Sequence, residues 1–235
     1  EWEQRNRRTG KGLGTYFLEN RPEDDWRQGL GALVHIMKVV IDNEGPSSTD
    51  RIRYDSVIFC LNTLTNVVES GGNRKTIAEM EVSGSDDKEL FLTWLTRWVV
   101  SQTTSFRDAV AGSTFGSSPS KHASRQLDAQ EDEKLVTAGN GFVLLACLME
   151  DNHGGTDSAV TDEIRDLVLA QVPGDDSDTS ITFMKNTLKA FCNFYHYSIG
   201  DLSVAVVAPV KKLIQQLEVI QNEMRKPPQV IDDDV

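Results

Sequence analysis

Apolar positions along the chain recur three and four residues apart almost everywhere, the spacing that puts them on one side of an α-helix. Asn20-Arg21-Pro22-Glu23 predicts a helix start: a capping side chain, a proline whose missing N–H costs nothing there, and an acid in the first turn. Trp26, Leu30, Leu33, Met37 and Val40 then form one stripe, which Gly45-Pro46 stops. A second helix over about 50–70 aligns Tyr54, Val57, Leu61, Leu64 and Val68 and ends at Gly71-Gly72. A third, over about 87–108, opens on the capping-box-like Asp86-Asp87-Lys88-Glu89 and carries Phe91, Leu95, Trp98 and Gln102.

Residues 111–127 have neither periodicity nor bulk, which predicts a flexible insertion reaching to about residue 130. The acidic run Asp128–Glu133 leads into a helix with Leu135, Phe142, Leu145 and Met149 inward, its acids placed to suit the helix macrodipole. A short helix over about 158–171 aligns Val160, Ile164, Leu167, Val168 and Gln171. After the turn Pro173-Gly174-Asp175-Asp176, a helix over about 178–197 aligns Ile181, Met184, Leu188, Phe191 and Tyr195. The last, over about 201–225, spaces Val206, Val210, Leu213, Leu217 and Ile220, with Pro209 predicting a kink or break near its start.

The expectation is an all-α chain of about seven or eight helices with no convincing strand alternation. A helical bundle and a helical solenoid are the two architectures it allows, although no repeat of fixed period is visible. Three parts follow: a mobile basic segment over 1–19, a helical domain over 20–225 and an acidic tail over 226–235.

At 235 residues, with roughly a quarter of them Leu, Ile, Val or Phe, the chain can bury a sizeable core. A balance of 24 basic against 36 acidic residues gives −12, which argues against direct nucleic-acid binding, since that needs lysine and arginine to neutralise phosphates. No run approaches the roughly 18 apolar residues of a membrane span. The chain opens at Glu1 with no methionine and no signal-peptide pattern, and reads as a fragment of something longer.

Chemistry finds little purchase. Cys60, Cys147 and Cys192 lie in apolar helical stretches and read as small buried hydrophobes in a reducing compartment. Cys192 and His196 are one turn apart, but no second ligand pair lies nearby, and His35, His122 and His153 are dispersed. Thr9-Gly10-Lys11-Gly12-Leu13-Gly14-Thr15 lacks phosphate-loop spacing and has no strand before it. The acid pairs Asp86-Asp87 and Asp175-Asp176 and the triplet Asp232–Asp234 fall in loops or at a terminus, where solvation explains them. Neither an active site nor a cofactor or metal site is expected.

The most informative stretch is Cys60-Leu-Asn-Thr-Leu-Thr-Asn-Val-Val-Glu-Ser-Gly-Gly-Asn-Arg74. Asn66, between Leu64 and Val67, reads as an amide near the buried stripe that satisfies the backbone of a neighbouring turn. Armadillo-like and HEAT-like repeats use asparagine in this way, so the reading favours stacked helical repeats. Asn73-Arg74 reads as a cap followed by a surface charge.

This stretch, continued by Ile77-Ala-Glu-Met80, resembles the C-terminal domain of the wings-apart-like (Wapl) cohesin release factors. Two further stretches agree in order: Val143-Leu-Leu-Ala-Cys-Leu-Met-Glu150 after an acid-rich insertion, then Phe183-Met-Lys-Asn-Thr-Leu-Lys-Ala-Phe-Cys-Asn-Phe194 with a closing helix like Val210–Glu218. Order and spacing over about 55–220 carry the resemblance. The family's domain is longer at its N-terminal side, and its long amino-terminal tail of binding motifs has no counterpart here, so contacts made by that tail are not carried over.

The resemblance implies a HEAT-like domain in the nucleus, associated with chromatin, that regulates sister-chromatid cohesion without an active site. Its partners would be cohesin subunits: the Smc ATPase head, the kleisin and the HEAT-repeat accessory subunits. The candidate contacts are Glu69, Asn73 and Arg74 at the end of the second helix, and Met184, Lys185 and Lys189 on the penultimate one. Met184 falls on the apolar stripe and reads as core, whereas the two lysines lie four apart on one face and read as surface. A generic armadillo- or HEAT-type adaptor for another protein is the alternative, and an all-helical hydrolase would need a converging titratable pair that the sequence does not offer.

Overall fold

The computed structural model describes residues 23–42, 50–70, 73–83, 88–104, 129–150 and 158–225. In chain order these form α1 (Glu23–Asp42), α2 (Asp50–Glu69), α3 (Arg74–Glu79), β1 (Glu81–Ser83), β2 (Lys88–Leu90), α4 (Phe91–Gln102), α5 (Ala129–Met149), α6 (Ser158–Leu169) and α7 (Ser177–Ile199). A short 3-10 helix (Gly200–Ser203) and α8 (Val204–Met224) close the series. The described chain is all-helical apart from one two-stranded antiparallel hairpin. The N-terminal basic segment, the insertion, the acidic tail, the glycine-rich stretch at 9–15, His122 and His153 lie outside the described residues.

The stripes meet in one core. Met37, Leu61, Leu64, Val68, Phe91, Leu95, Phe142, Leu145, Ile164, Ile181 and Leu188 are buried together, each large side chain contributing about 1.5–3 kcal/mol by leaving water. Buried threonines do not break this core, because Thr65, Thr96 and Thr187 return their hydroxyls to the carbonyls of Leu61, Leu92 and Phe183 one turn back.

Helix α5 is the centre. From Leu135 to Met149 nearly every side chain is buried, because α2, α4, α6, α7 and α8 all pack on it. A helix that is apolar all round belongs inside. Two glycines set the closeness of that packing: a Cβ on Gly139 would lie 2.1 Å from Cδ2 of Phe191 on α7, and one on Gly141 would lie 2.4 Å from Cγ2 of Val99 on α4. Around this axis α1 packs on α2, α4 on α5 and α6, and α7 on α8. Lys38 of α1 sits 5.6 Å above the Trp94 ring, bringing α1 beside α4.

Four details depart from the sequence expectation. Helix α4 starts at Phe91, not near residue 87, because residues 88–90 pair with 81–83 in the register Glu81 to Leu90, Val82 to Glu89 and Ser83 to Lys88. Glu89 is therefore in a strand and cannot complete a capping box; it pairs with Arg97 instead. Asn66 is exposed, and the polar side chain facing inward beside it is Thr65, so the repeat-like asparagine role does not hold at this position. The final helix opens as the 3-10 turn and then runs through Pro209, whose position is exposed.

The turn before α7 supplies a capping box that Asp175-Asp176 had not revealed. Asp176 accepts from the Thr179 N–H at 2.8 Å, and the Asp176 N–H donates to Thr179 Oγ1 at 3.1 Å. The Thr179 N–H and the Thr179 hydroxyl, both donating to Asp176 Oδ1, hold the Asp176 carboxyl below its ordinary range.

Candidate functional site

The C-terminal end of α5 is where four other elements converge. Helix carbonyls there lack partners within the helix, and Arg165 of α6 donates Nε–H to the Met149 carbonyl at 3.1 Å. Cys147 donates its thiol to Oε1 of Glu69, the last residue of α2, at 3.9 Å. Gln216 of α8 donates its amide to Oε1 of Glu150. Arg74 opens α3 close enough to act on the Cys147 thiol. Burial, then the carboxylates of Glu69 and Glu150, push that thiol up to about 12 against the opposing pull of Arg74. It stays protonated and is no nucleophile at neutral pH.

Of the candidates on this side, Glu69 is exposed and Arg74 half-buried. Asn73 is only 3% exposed. It occupies the cap position of α3, but through its carbonyl, which accepts from the Ile77 N–H at 3.0 Å, and not through its side chain.

The second trio lies on α7 against α8. Met184 is fully buried and has no surface to offer a partner. Lys185 was expected on an open face, yet its side chain is 12% exposed, donating to Gln221 Oε1 at 2.8 Å and pairing with Glu218 at 3.4 Å. Gln221 in turn donates to the Asp178 carbonyl at 3.0 Å and to Thr182 Oγ1 at 2.9 Å. Asp178 takes both ends of the Arg225 guanidinium, and that hydrogen bonding holds its carboxyl below the ordinary range. Lys189 is half-buried. This seam locks α8 onto α7, so reversing the charge of Lys185 is a change to the fold as well as to a surface.

The structure thus brings Glu69 and Arg74 together with Cys147 and Glu150, and ties Lys185 to Gln221 and Glu218. Sequence reasoning missed Gln216, Gln221 and Arg165. Gln221 carried a signal, since it lies one turn after Leu217 on the apolar stripe of α8, where a polar side chain needs a partner.

Compared with known proteins, the chain matches no family model, no curated sequence and no solved structure.

Chemical capacity at these sites is limited. Among the described residues, no group of three or more His, Cys, Asp or Glu side chains could hold a metal ion, and Cys192 is buried while His196 is exposed. Cys60, Cys147 and Cys192 are free and buried, and burial pushes each thiol up. An open depression of about 330 Å³ at the turn between α6 and α7 is lined by Asp166, Asp175, Asp176 and Ser180, of which Asp176 is committed to its cap. No described helix is long and apolar enough to cross a membrane. What the arrangement offers is a set of helix ends joined by polar contacts.

Proposed function

We propose that this chain is a stacked-helix module of the HEAT or armadillo kind that regulates cohesin, promoting release of the ring from chromatin by binding its subunits. One observation carries the reading. The stretches that resemble the Wapl C-terminal domain lie on α2 and α3, α5, α7 and α8, and of these α2, α7 and α8 each pack on α5. A resemblance spread over elements that pack on one helix is compatible with a shared domain.

The pairing supports a stack. Helices α2 and α7 each meet the middle helix α5, as neighbouring repeats of a stack would. In a solenoid the inner helix of a middle repeat is covered by both neighbours, which accounts for the all-round burial of α5. The module acts by differential affinity: by binding one state of the Smc head–kleisin gate better than another it shifts the gate toward that state, while ATP is hydrolysed by the Smc heads. No catalytic group of its own is required. The chain would act in the nucleus, on chromatin, without touching DNA directly.

Within this reading the contact surface includes Glu69 and Arg74 at the end of α2 and the start of α3, with Lys189 on α7. Affinity capture with the chain as bait from a nuclear extract, read by mass spectrometry, is expected to recover Smc, kleisin and HEAT-repeat cohesin subunits together. Recovery of other proteins without any cohesin subunit would replace this reading with a generic helical adaptor.

A further inference from the structure

Half of the exposed large apolar side chains among the described residues fall in one ten-residue window. Tyr197 (79% exposed), Ile199, Leu202 (80%), Val204 (67%) and Val206 all lie at the corner where α7 turns through the 3-10 helix into α8. Isolated exposed apolar residues need no explanation, but several gathered at one corner of the fold are candidates for a contact surface. The corner is fixed, not frayed. Gly200 takes φ +57, a conformation glycine adopts without strain, its N–H returns to the His196 carbonyl, and Ser203 is buried beneath the turn. On the outer face of α8 the exposed residues continue as Ala205, Ala208 and Pro209. Because proline has no N–H, Pro209 cannot donate to the Ala205 carbonyl one turn back.

The charge beside this patch is opposite to that of the molecule. Lys211 and Lys212, both exposed, follow within about 10–12 Å of Val204 along α8, as the helical rise requires. Lys211 also lies close enough to α7 to act on the Cys192 thiol. Residues 186–215 hold three lysines and one aspartate, whereas the remaining chain holds 21 basic and 35 acidic residues. A nucleic acid or an anionic membrane would engage the two lysines yet be repelled by the acidic remainder. A short acidic peptide can reach the basic edge without meeting that field, provided that it also has apolar side chains to cover the corner.

We propose that the corner between α7 and α8 is a docking surface for a segment of a partner protein that carries large apolar side chains beside several acidic ones. Tyr197, Leu202 and Val204 supply the anchoring area, and Lys211 and Lys212 set polarity and orientation. This surface does not depend on the cohesin reading, because its chemistry is complete without it.

The test uses the full chain against a display library of random peptides about 16 residues long. Enriched peptides are expected to be net acidic and to carry at least two large apolar residues. Their affinity should fall at least about tenfold in Leu202→Asp and in the pair Lys211→Glu and Lys212→Glu, with unchanged helicity and melting temperature. Four results would overturn the proposal. The first is no enrichment, and the second is enriched peptides indifferent to both variants. The third is concentration-dependent self-association abolished by Leu202→Asp, which would make a second copy the occupant. The fourth is binding to phosphatidylserine vesicles lost in the same variant.

Discussion

Replacing Gly139 by alanine isolates the packing of α5 against α7. An alanine Cβ there would stand 2.1 Å from Cδ2 and 2.4 Å from Cγ of Phe191, against about 3.5–4.0 Å for an ordinary carbon contact. A planar ring cannot fold away from such an overlap. It must tilt or the helices must part, and tilting also disturbs its edge-on contact with Tyr195 at 4.9 Å between centroids. Overpacking costs about 1–3 kcal/mol and the aromatic contact about 1, whereas alanine returns about 1 through helix propensity. The net loss is about 2 kcal/mol, or a fall in Tm of about 4–8 °C for a domain of this size. Gly31, in α1, has nothing within 4 Å of its would-be Cβ, so Gly31→Ala should gain about 1 kcal/mol from propensity alone. Urea titration followed by circular dichroism reads both variants, and in a Phe191→Ala background the Gly139→Ala loss should vanish. If Gly139→Ala stabilises the chain as Gly31→Ala does, no ring lies over Gly139 and the central position of α5 is wrong.

Lys185→Ala should lower stability by about 1–2 kcal/mol, read as a Tm fall of about 2–8 °C, because it strands Gln221 and Glu218 in the α7–α8 seam; an unchanged Tm would contradict the seam. The native chain at pH near 8 should give no prompt colour with Ellman's reagent and all three thiols on unfolding, since burial raises each of them; one fast thiol would contradict the burial. Asp178 is depressed in the folded chain, so its contribution is fully present above the ordinary carboxylate value and is lost as pH falls through the lower folded value. The gap in denaturation midpoint between wild type and Asp178→Asn should accordingly be largest near neutral pH and shrink below about pH 4. A gap that widens with acid would reverse the sign of the argument.

The legible part of the fold was the helices themselves. Periodicity marks which face is buried, and Leu61, Leu64, Phe91, Leu95, Phe142 and Leu188 are core as their spacing required. It does not tell which helix packs on which, so the role of α5 stayed hidden although Ala138, Leu144, Ala146 and Leu148 fill the sides its stripe left over. Asn66 was misplaced for a reason the helical angle exposes: at 100° per residue it lies about 140° from Leu61, whereas Thr65 lies within about 40°. Strands of three residues, as at Glu81–Ser83, are too short for a period of two to register. The site was half legible. Glu69 and Arg74 were found near a helix end, but their neighbours Cys147, Glu150 and Gln216 are brought to them by tertiary packing alone.

In the proposed reading these helices bind the cohesin gate. Titrating the purified chain into a reconstituted Smc head–kleisin complex tests it most directly. Saturable binding with a Kd on the order of micromolar or tighter is expected, weakened by reversing Glu69 and Arg74 together without loss of helicity. An absence of binding at concentrations on the order of 100 μM, by a chain whose fold is intact, would contradict it.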